Sequence, residues 1–448
     1  MKKFIQTLKN IWTIEELRSK IIVTLALLFA YRFGTHIVLP GMDPNLLGAA
    51  QANASKNGLL GLFDMFAGGA FSQASILALG IMPYISASIF MQLMTILVPQ
   101  LQKVQKEGDS GRKKINQWTR YLTVIVTLFQ ASAYVAYLNG PGYAEAIIPA
   151  YKEYFAISTI LTLTAGTLFV MWLGEKIQDK GLGNGTSIII MIGILARFPQ
   201  SLIQEFGAKQ ARGGGGLLIF LIEIAIFIAI IMAIIVLVQG VRKIPVNYAK
   251  QIIGNRQFGG ARQFLPMKVN MAGVMPIIFA QAIMFLPTLF SFTNTESGKG
   301  IAKVFGDHSN FWYMLVYGVM VVAFTFLYTA LIFNPKQMAE DLKRNNGFIP
   351  GVKPGQPTAD YIGAIMDKIT LPGAIFLAIF GILPGFAQRL GVTSSFASFF
   401  GGTSLLIMVA VILDTLQQIE TQLLMRQYDG LMNSGRIQGR QTITPASM

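Results

Sequence analysis

The stretch GIMPYISASIFM, residues 80–91, returns 193 positions later as GVMPIIFAQAIM, residues 273–284. The two match without a gap at six of twelve positions: glycine, methionine, proline, isoleucine, alanine and methionine. Both lie in apolar runs. The same offset carries the third such run (121–138) onto the eighth and the first onto the sixth. The chain therefore reads as two halves of five spans. An odd number per half forces the second half to run upside down relative to the first. Such inverted repeats place their pathway where the halves meet. Chance likeness of two apolar helices is the competing reading, and the shared Gly-x-Met-Pro order with its constant offset argues against it.

Composition points to the same class. Of 448 residues 53% are hydrophobic and 13% charged, against about 25% charged in soluble domains. The apolar residues come in blocks, so an all-α integral membrane protein is expected. Ten spans are expected, at 21–40, 74–98, 121–138, 154–173, 187–206, 216–239, 270–290, 311–333, 370–388 and 399–424. Of the 36 Lys and Arg residues, 27 fall on the side of the two termini and 8 on the other, with Arg32 inside the first span. That bias puts both termini in the cytoplasm. It also accounts for the net charge of +15 without invoking nucleic acid. The expected divisions are an amphipathic cytoplasmic segment (1–20), an N-terminal half (21–213), a C-terminal half (214–425) and a cytoplasmic tail (426–448). Residues 1–20 lack the apolar core of a cleavable signal and read as a helix lying on the membrane surface.

Catalytic chemistry is not visible. There is no cysteine, only His36 and His308, and no zinc, serine-hydrolase or Walker A motif. No cofactor, metal or small-molecule substrate is expected. Charge at span depth is functional by default, and Arg32, Glu223 and Asp414 are the candidates. Arg32 can snorkel outward, while Glu223 and Asp414 stand near span ends. No acidic pair marks the midplane, which disfavours an ion-coupled transporter for small solutes, and no nucleophile–base pair supports an intramembrane enzyme. Pro83 and Pro276 each remove a donor inside their runs, which reads either as a tolerated kink or as two equivalent helices built to shift. The isoleucines between the halves read either as plain packing or as an apolar constriction. Such a constriction excludes water and ions when narrow, yet yields to a passing polypeptide because it makes no directional bonds.

GLLGLFDMFAGGAFSQAS, residues 58–75, stands before the second span and is itself too short to cross the roughly 30 Å hydrocarbon core. It carries Asp64 and the Gly68-Gly69 pair.

These features meet in one resemblance. MFAGGAFSQASILALGIMPYISASIFMQLM, KEGDSGRKKINQWTRY, MWLGEKIQDKGLGNGTSIII, VNYAK, KVNMAGVMPIIFA, YTALIFNPKQMAEDLK and FGGTSLLIMVAVILD resemble, in order and through loops as well as spans, the SecY family of channel subunits of the bacterial Sec translocon. The resemblance implies a passive channel for unfolded secretory polypeptides in the bacterial cytoplasmic (inner) membrane, with a lateral gate to lipid and energy supplied by partners. It makes the short segment, about 58–73, a re-entrant plug helix, with Leu60, Leu62, Phe63, Met65, Phe66, Gly68 and Gly69 as its working residues. It carries a pore ring onto Ile81, Ile85, Thr186, Ile190, Ile278 and Ile407; Thr186 stands where the family shows isoleucine. Ile85 and Ile278 are also equivalent in the internal repeat. The implied lateral gate runs between the second and seventh spans, with Pro83, Gln92, Asn270 and Pro276. Gln92 and Asn270 are expected either to bond across the closed gate or to meet water. The long loops 240–269 and 334–369 are implied docking surfaces, with Arg242, Lys243, Lys250, Arg256, Arg262 and Lys353. Lys353 replaces the family's arginine and loses its planar fork. The implied partners are SecE, SecG, the motor ATPase SecA, the ribosome, signal sequences and unfolded polypeptides, and membrane lipid.

Overall fold

The computed structural model describes residues 12, 14–47, 64, 66–140, 143–211, 215–248, 251–253, 256–258, 262–289 and 310–433, hereafter the described residues. The helices of the first part are α1 (Glu15–Gly34), α2 (Met82–Leu97), α3 (Pro99–Lys106), α4 (Asp109–Leu138), α5 (Phe155–Lys180), α6 (Gly185–Gln210) and α7 (Gly216–Gln239). Strands β1 (Val241–Tyr248), β2 (Gln251–Ile253), β3 (Arg256–Phe258) and β4 (Arg262–Lys268) follow. Then come α8 (Met275–Leu289), α9 (Phe311–Ile332), α10 (Pro335–Arg344), β5 (Gly347–Phe348), α11 (Gln356–Arg389), α12 (Ser394–Ala397) and α13 (Gly402–Asn433).

Among the described residues seven helices are long and apolar enough to cross a membrane, or eight if α2 and α3, which meet at 103°, form one broken span. These are the expected second to sixth and eighth to tenth spans. The other two fall on α1 and α8. α1 begins at Glu15, so it takes in residues 15–20 of the segment expected to lie on the membrane surface; residues 1–11 and 13 lie outside the described residues. The described part of α8 has 15 residues, about 22 Å of helix.

The repeat extends to the backbone. Gly80 and Gly273 both have positive φ, +53° and +66°. Two residues on, α2 and α8 start at Met82 and Met275, again 193 apart, each with its proline second. Their opening hydrogen bonds correspond as well: Ile85 N–H donates to Ile81 O (3.1 Å) and Ile278 N–H to Val274 O (3.4 Å). This corrects the expected role of Pro83 and Pro276. They start helices rather than kink them, since a first-turn N–H has no helical acceptor to lose. The apolar run from residue 74 is accordingly turns up to Ile81 and helix only thereafter.

The loop 240–269 is a β-ribbon. β1 pairs antiparallel with β4 along Val241–Asn247 and with β5 at Asn247 and Tyr248. Alternation explains it: Ile244 and Val246 point inward, as period 2 requires, onto a small core with Met267, Leu342, Ile349, Ile362 and Met366. The two long loops thereby become one body. α11 carries Ile362 and Met366 of that core, then continues into the main apolar cluster with Leu377, Ala378, Phe380 and Ala387.

At the far end of α11 lies a buried ion cluster. Lys209 Nζ lies 3.3 Å from Glu205 Oε1 and 2.7 Å from Glu223 Oε1. It also donates to Gly391 O at 3.1 Å. Glu205 Oε2 accepts from the Thr393 N–H (2.8 Å) and hydroxyl (2.5 Å). Glu223 is therefore ion-paired inside protein rather than placed at an interface. The cluster ties α6, α7 and the corner after α11 together. Removing one member of a buried pair costs about 3–5 kcal/mol, because the remaining charge is stranded. Lys209→Met leaves two carboxylates uncompensated and should lower the yield of folded protein or its melting temperature markedly, as read by thermal unfolding in detergent.

Candidate functional site

The expected ring, or waist, falls in apolar surroundings. Ile81, Ile190 and Ile407 are 3%, 7% and 6% exposed and belong to one buried cluster, with Ile85 and Ile278 packed against it. Four separate elements supply them: α2 with the residue capping it, the first turn of α8, and the second turns of α6 and α13. Thr186 is half-buried on α6. Val274, the repeat equivalent of Ile81, also packs against the cluster and was open to discovery through the 193-residue offset. Next to the waist, the Thr403 hydroxyl on α13 meets Gln281 Oε1 on α8 at 3.2 Å.

Of the short segment, Asp64, Phe66 and everything from residue 67 onward are described, whereas Leu60, Leu62, Phe63 and Met65 lie outside the described residues. Phe66 joins the same cluster as the isoleucines. From Ala67 to Ser75 the chain makes turns, which exposes backbone groups that must find partners inside protein. The carbonyl of Gly68 accepts from Arg32 Nη1 (3.0 Å), that of Phe71 from the Tyr134 hydroxyl (2.7 Å), and that of Ser72 from the Tyr143 hydroxyl (3.3 Å). Asp64 Oδ1 accepts from Ser72 N–H at 2.7 Å, and its other oxygen pairs with Arg197 Nη2. Phe71 sits edge-on to Tyr134 with centroids 4.7 Å apart. Both glycines serve close approach: a Cβ on Gly68 would stand 2.8 Å from Arg32 Nη1 and 2.9 Å from Gly193 Cα, at φ +65°. Arg32 thus bonds the segment instead of snorkelling.

Arg197 and Glu205 were missed within the span 187–206. For Arg197 a signal existed. Thr186, Ile190, Gly193 and Arg197 follow at i, i+4, i+7 and i+11, and at 100° per residue they point within about 60° of one another. One stripe of α6 therefore carries two expected ring positions, the glycine against which Gly68 lies, and the arginine that holds Asp64.

Around the expected lateral gate, α2 packs on α4 and α8 on α9. The expected polar residues do not meet there. Gln92 Oε1 accepts from the Tyr328 hydroxyl on α9 at 3.0 Å, while Asn270 Oδ1 is buried with no hydrogen-bond partner among the described residues. Pro83 and Pro276 are buried at their helix starts. Asp414 is exposed and bonds Gln418, one turn on.

On the body formed by the two long loops Arg242, Lys243 and Lys353 are exposed. The β1–β5 pairing brings the first two into one body with Lys353, five residues beyond β5. Lys250 lies outside the described residues, and Arg256 and Arg262 are placed in β3 and β4 by their backbones. Among the described residues no group of three or more His, Asp or Glu is arranged to hold a metal.

Comparison with known proteins gives a consistent result. The SecY family model matches residues 75–416. The protein translocase subunit SecY of Streptomyces scabiei is 41% identical over 430 residues, 93% of this chain and 97% of the relative. Two solved structures share the fold. One is a SecY protein whose plug domain stabilises the closed channel and maintains a membrane seal (17% identical, TM-score 0.59, covering 93% of this chain and 94% of that one). The other is Sec61 in a canine ribosome–channel complex (14% identical, TM-score 0.56, covering 93% and 94%).

Left-handed backbone costs a residue with a Cβ about 1–2 kcal/mol, and at position 68 the collision with Gly193 adds to it. Gly68→Ala should therefore lower thermal stability. Gly207→Ala is the control, because its Cβ would meet nothing within 4 Å. Equal melting temperatures for the two would contradict the close packing at Gly68.

Proposed function

The chain belongs to the SecY family, and we propose that it works as a protein-conducting channel whose constriction is the ring Ile81, Ile85, Thr186, Ile190, Ile278 and Ile407. It is a multi-pass membrane protein of a translocation-channel family, not an enzyme. The channel passes unfolded secretory polypeptides across the cytoplasmic membrane and releases transmembrane segments sideways between α2 and α8. Its ten spans form two inverted five-helix halves with both termini cytoplasmic.

One observation carries the ring: isoleucines from four elements of both halves converge on one buried cluster that also takes Phe66 of the short segment. Apolar side chains close such a gap without bonds that must be broken for cargo to pass, and they exclude ions when closed. The buried charges do not favour ion coupling. Lys209, Glu205 and Glu223 are bonded to one another and to the corner at Gly391–Thr393, which makes them a brace.

Partners supply the energy. Loop 240–269 carries Arg242, Lys243, Lys250, Arg256, Arg262 and Lys268 without one acid, and such a surface attracts RNA phosphates or an acidic protein face. We assign it, with Lys353, to docking of the ribosome and SecA, and we place SecE and SecG against the membrane-facing helices. Gln92 and Tyr328 hold the gate shut at the cytoplasmic side of the seam.

The test exploits a chain without cysteine. Single cysteines at Ile85 or Ile278 are introduced, the protein is reconstituted with its partners, and a cysteine-bearing secretory chain is jammed in transit before oxidation. Disulfides from both positions, with none from the exposed Ile228, are expected. Linkage at Ile228 alone would misplace the ring. Separately, Tyr328→Phe removes a hydrogen bond worth about 1 kcal/mol and should raise export of a cargo with a weakened signal about fivefold. Unchanged export would remove Tyr328 from the gate.

A further inference from the structure

Two arginines from different helices converge on neighbouring residues of one short loop. Arg32, near the end of α1, donates to Gly68 O at 3.0 Å. Arg197, on α6, pairs with Asp64 and donates to Ser72 Oγ at 2.8 Å. A Cβ on Gly69 would stand 3.0 Å from Arg197 Nε, just as one on Gly68 would touch Arg32. The loop between these points is closed on itself. Ser72 N–H donates to Asp64 Oδ1 (2.7 Å), Gly69 N–H to Asp64 O (2.8 Å), and the Ser72 hydroxyl to Gly69 O (3.2 Å). Arg197 therefore grips both ends of the closed loop at once, and Arg32 holds its middle.

The opposite flank is held differently. Phe71 lies among Tyr134 and Tyr137, and the hydroxyls of Tyr134 and Tyr143 take the carbonyls of Phe71 and Ser72. Aromatic packing with neutral hydrogen bonds forms that side, and guanidinium groups form the other. Charge-assisted bonds are roughly twice as strong as neutral ones, and they are stronger still where water is scarce. Asp64 is 8% exposed. Its carboxylate pairs with Arg197, so its departure strands that guanidinium without its counter-charge.

We propose that Arg197 and Asp64, assisted by Arg32, form the electrostatic latch that holds the 64–72 loop against the waist, so that opening the channel requires this ion pair to part. This rests on the channel reading and adds to it the residues that set the threshold for opening. The placement of Arg197 makes the latch responsive to the ring. It stands seven residues from Ile190 on the same stripe of α6, about 10 Å along one helix, so a cargo that displaces α6 at the constriction moves the guanidinium away from Asp64. The two glycines then serve the latch itself, since a side chain at 68 would crowd Arg32 and one at 69 would crowd Arg197.

Two readouts test it in the reconstituted complex: ion leak without cargo, and labelling of an Ala67→Cys reporter by an impermeant thiol reagent. Ala67 is 2% exposed and the chain has no other cysteine. Arg197→Met keeps length and loses charge, Arg197→Lys keeps charge, and Asp64→Asn keeps shape and an acceptor for Ser72 N–H. Leak and labelling should both rise about tenfold with Arg197→Met and with Asp64→Asn, as loss of a charged hydrogen bond implies. Both should stay near the parent values with Arg197→Lys. Closure of the Met and Asn variants as tight as the parent's overturns the latch, and so does a Lys variant as leaky as Met, which would assign the effect to shape. Export of a secretory chain by the parent complex is scored alongside. Failure of that export would count against the channel reading, whereas intact export with unchanged variants counts against the latch alone.

Discussion

A backbone that leaves helical geometry among membrane helices must find a partner for every peptide group within the protein, because lipid offers none. Residues 67–75 meet that constraint with side chains drawn from three distant places and from the segment itself. Arg32 comes from α1, Tyr134 from α4, Tyr143 from the turn after α4, and Ser72 from the segment itself. The arrangement fixes how α1, α4 and α6 stand around the waist, since each must deliver its group to a stated carbonyl or carboxylate. It also leaves α2 free to begin late, at Met82, directly beside the constriction.

The waist and the segment below it share their support. α6 supplies Thr186 and Ile190 to the level of the constriction, and its next turns supply Gly193 and Arg197 to the loop. Nonpolar contact closes the centre, and an ion pair secures what lies against it. In the proposed channel this division suits a passage for chemically varied chains. The centre discriminates by size alone, and the directional bonds stand to one side, where cargo need not satisfy them.

Much of this was legible in the sequence, for reasons that differ by residue. Ile85 and Ile278 announce one another through a 193-residue offset that survives in the backbone, down to the φ of Gly80 and Gly273. The run from residue 74 misled because apolar composition reports burial rather than conformation. A buried set of turns and a buried helix look alike until the positions of Gly80 and Pro83 are weighed together. Arg197 was passed over because its carboxylate lies 133 residues away, and a lone arginine in a span carries no mark of its partner. Lys209 and Glu223 were separable for the same reason. In the cytoplasmic loop the alternation of Ile244 and Val246 was present, but the density of basic residues drew the reading toward charge and away from the ribbon that holds them.

The 34 residues of α11 extend about 51 Å as one rod. Its first turns are embedded in the body of the two long loops through Ile362 and Met366, its middle in the apolar core through Leu377 and Phe380, and its far end abuts the corner clamped by Lys209 and Glu205. Mechanically this is a lever with a fixed outer bearing. A load applied by anything seated on that body cannot be absorbed at the clamped end without breaking buried ion pairs. It must instead be taken up as bending near Pro372 and Pro384, where the helical hydrogen bonding is interrupted. Strain entering through that body therefore arrives beside the apolar core that holds the expected ring, rather than dissipating at the clamped end.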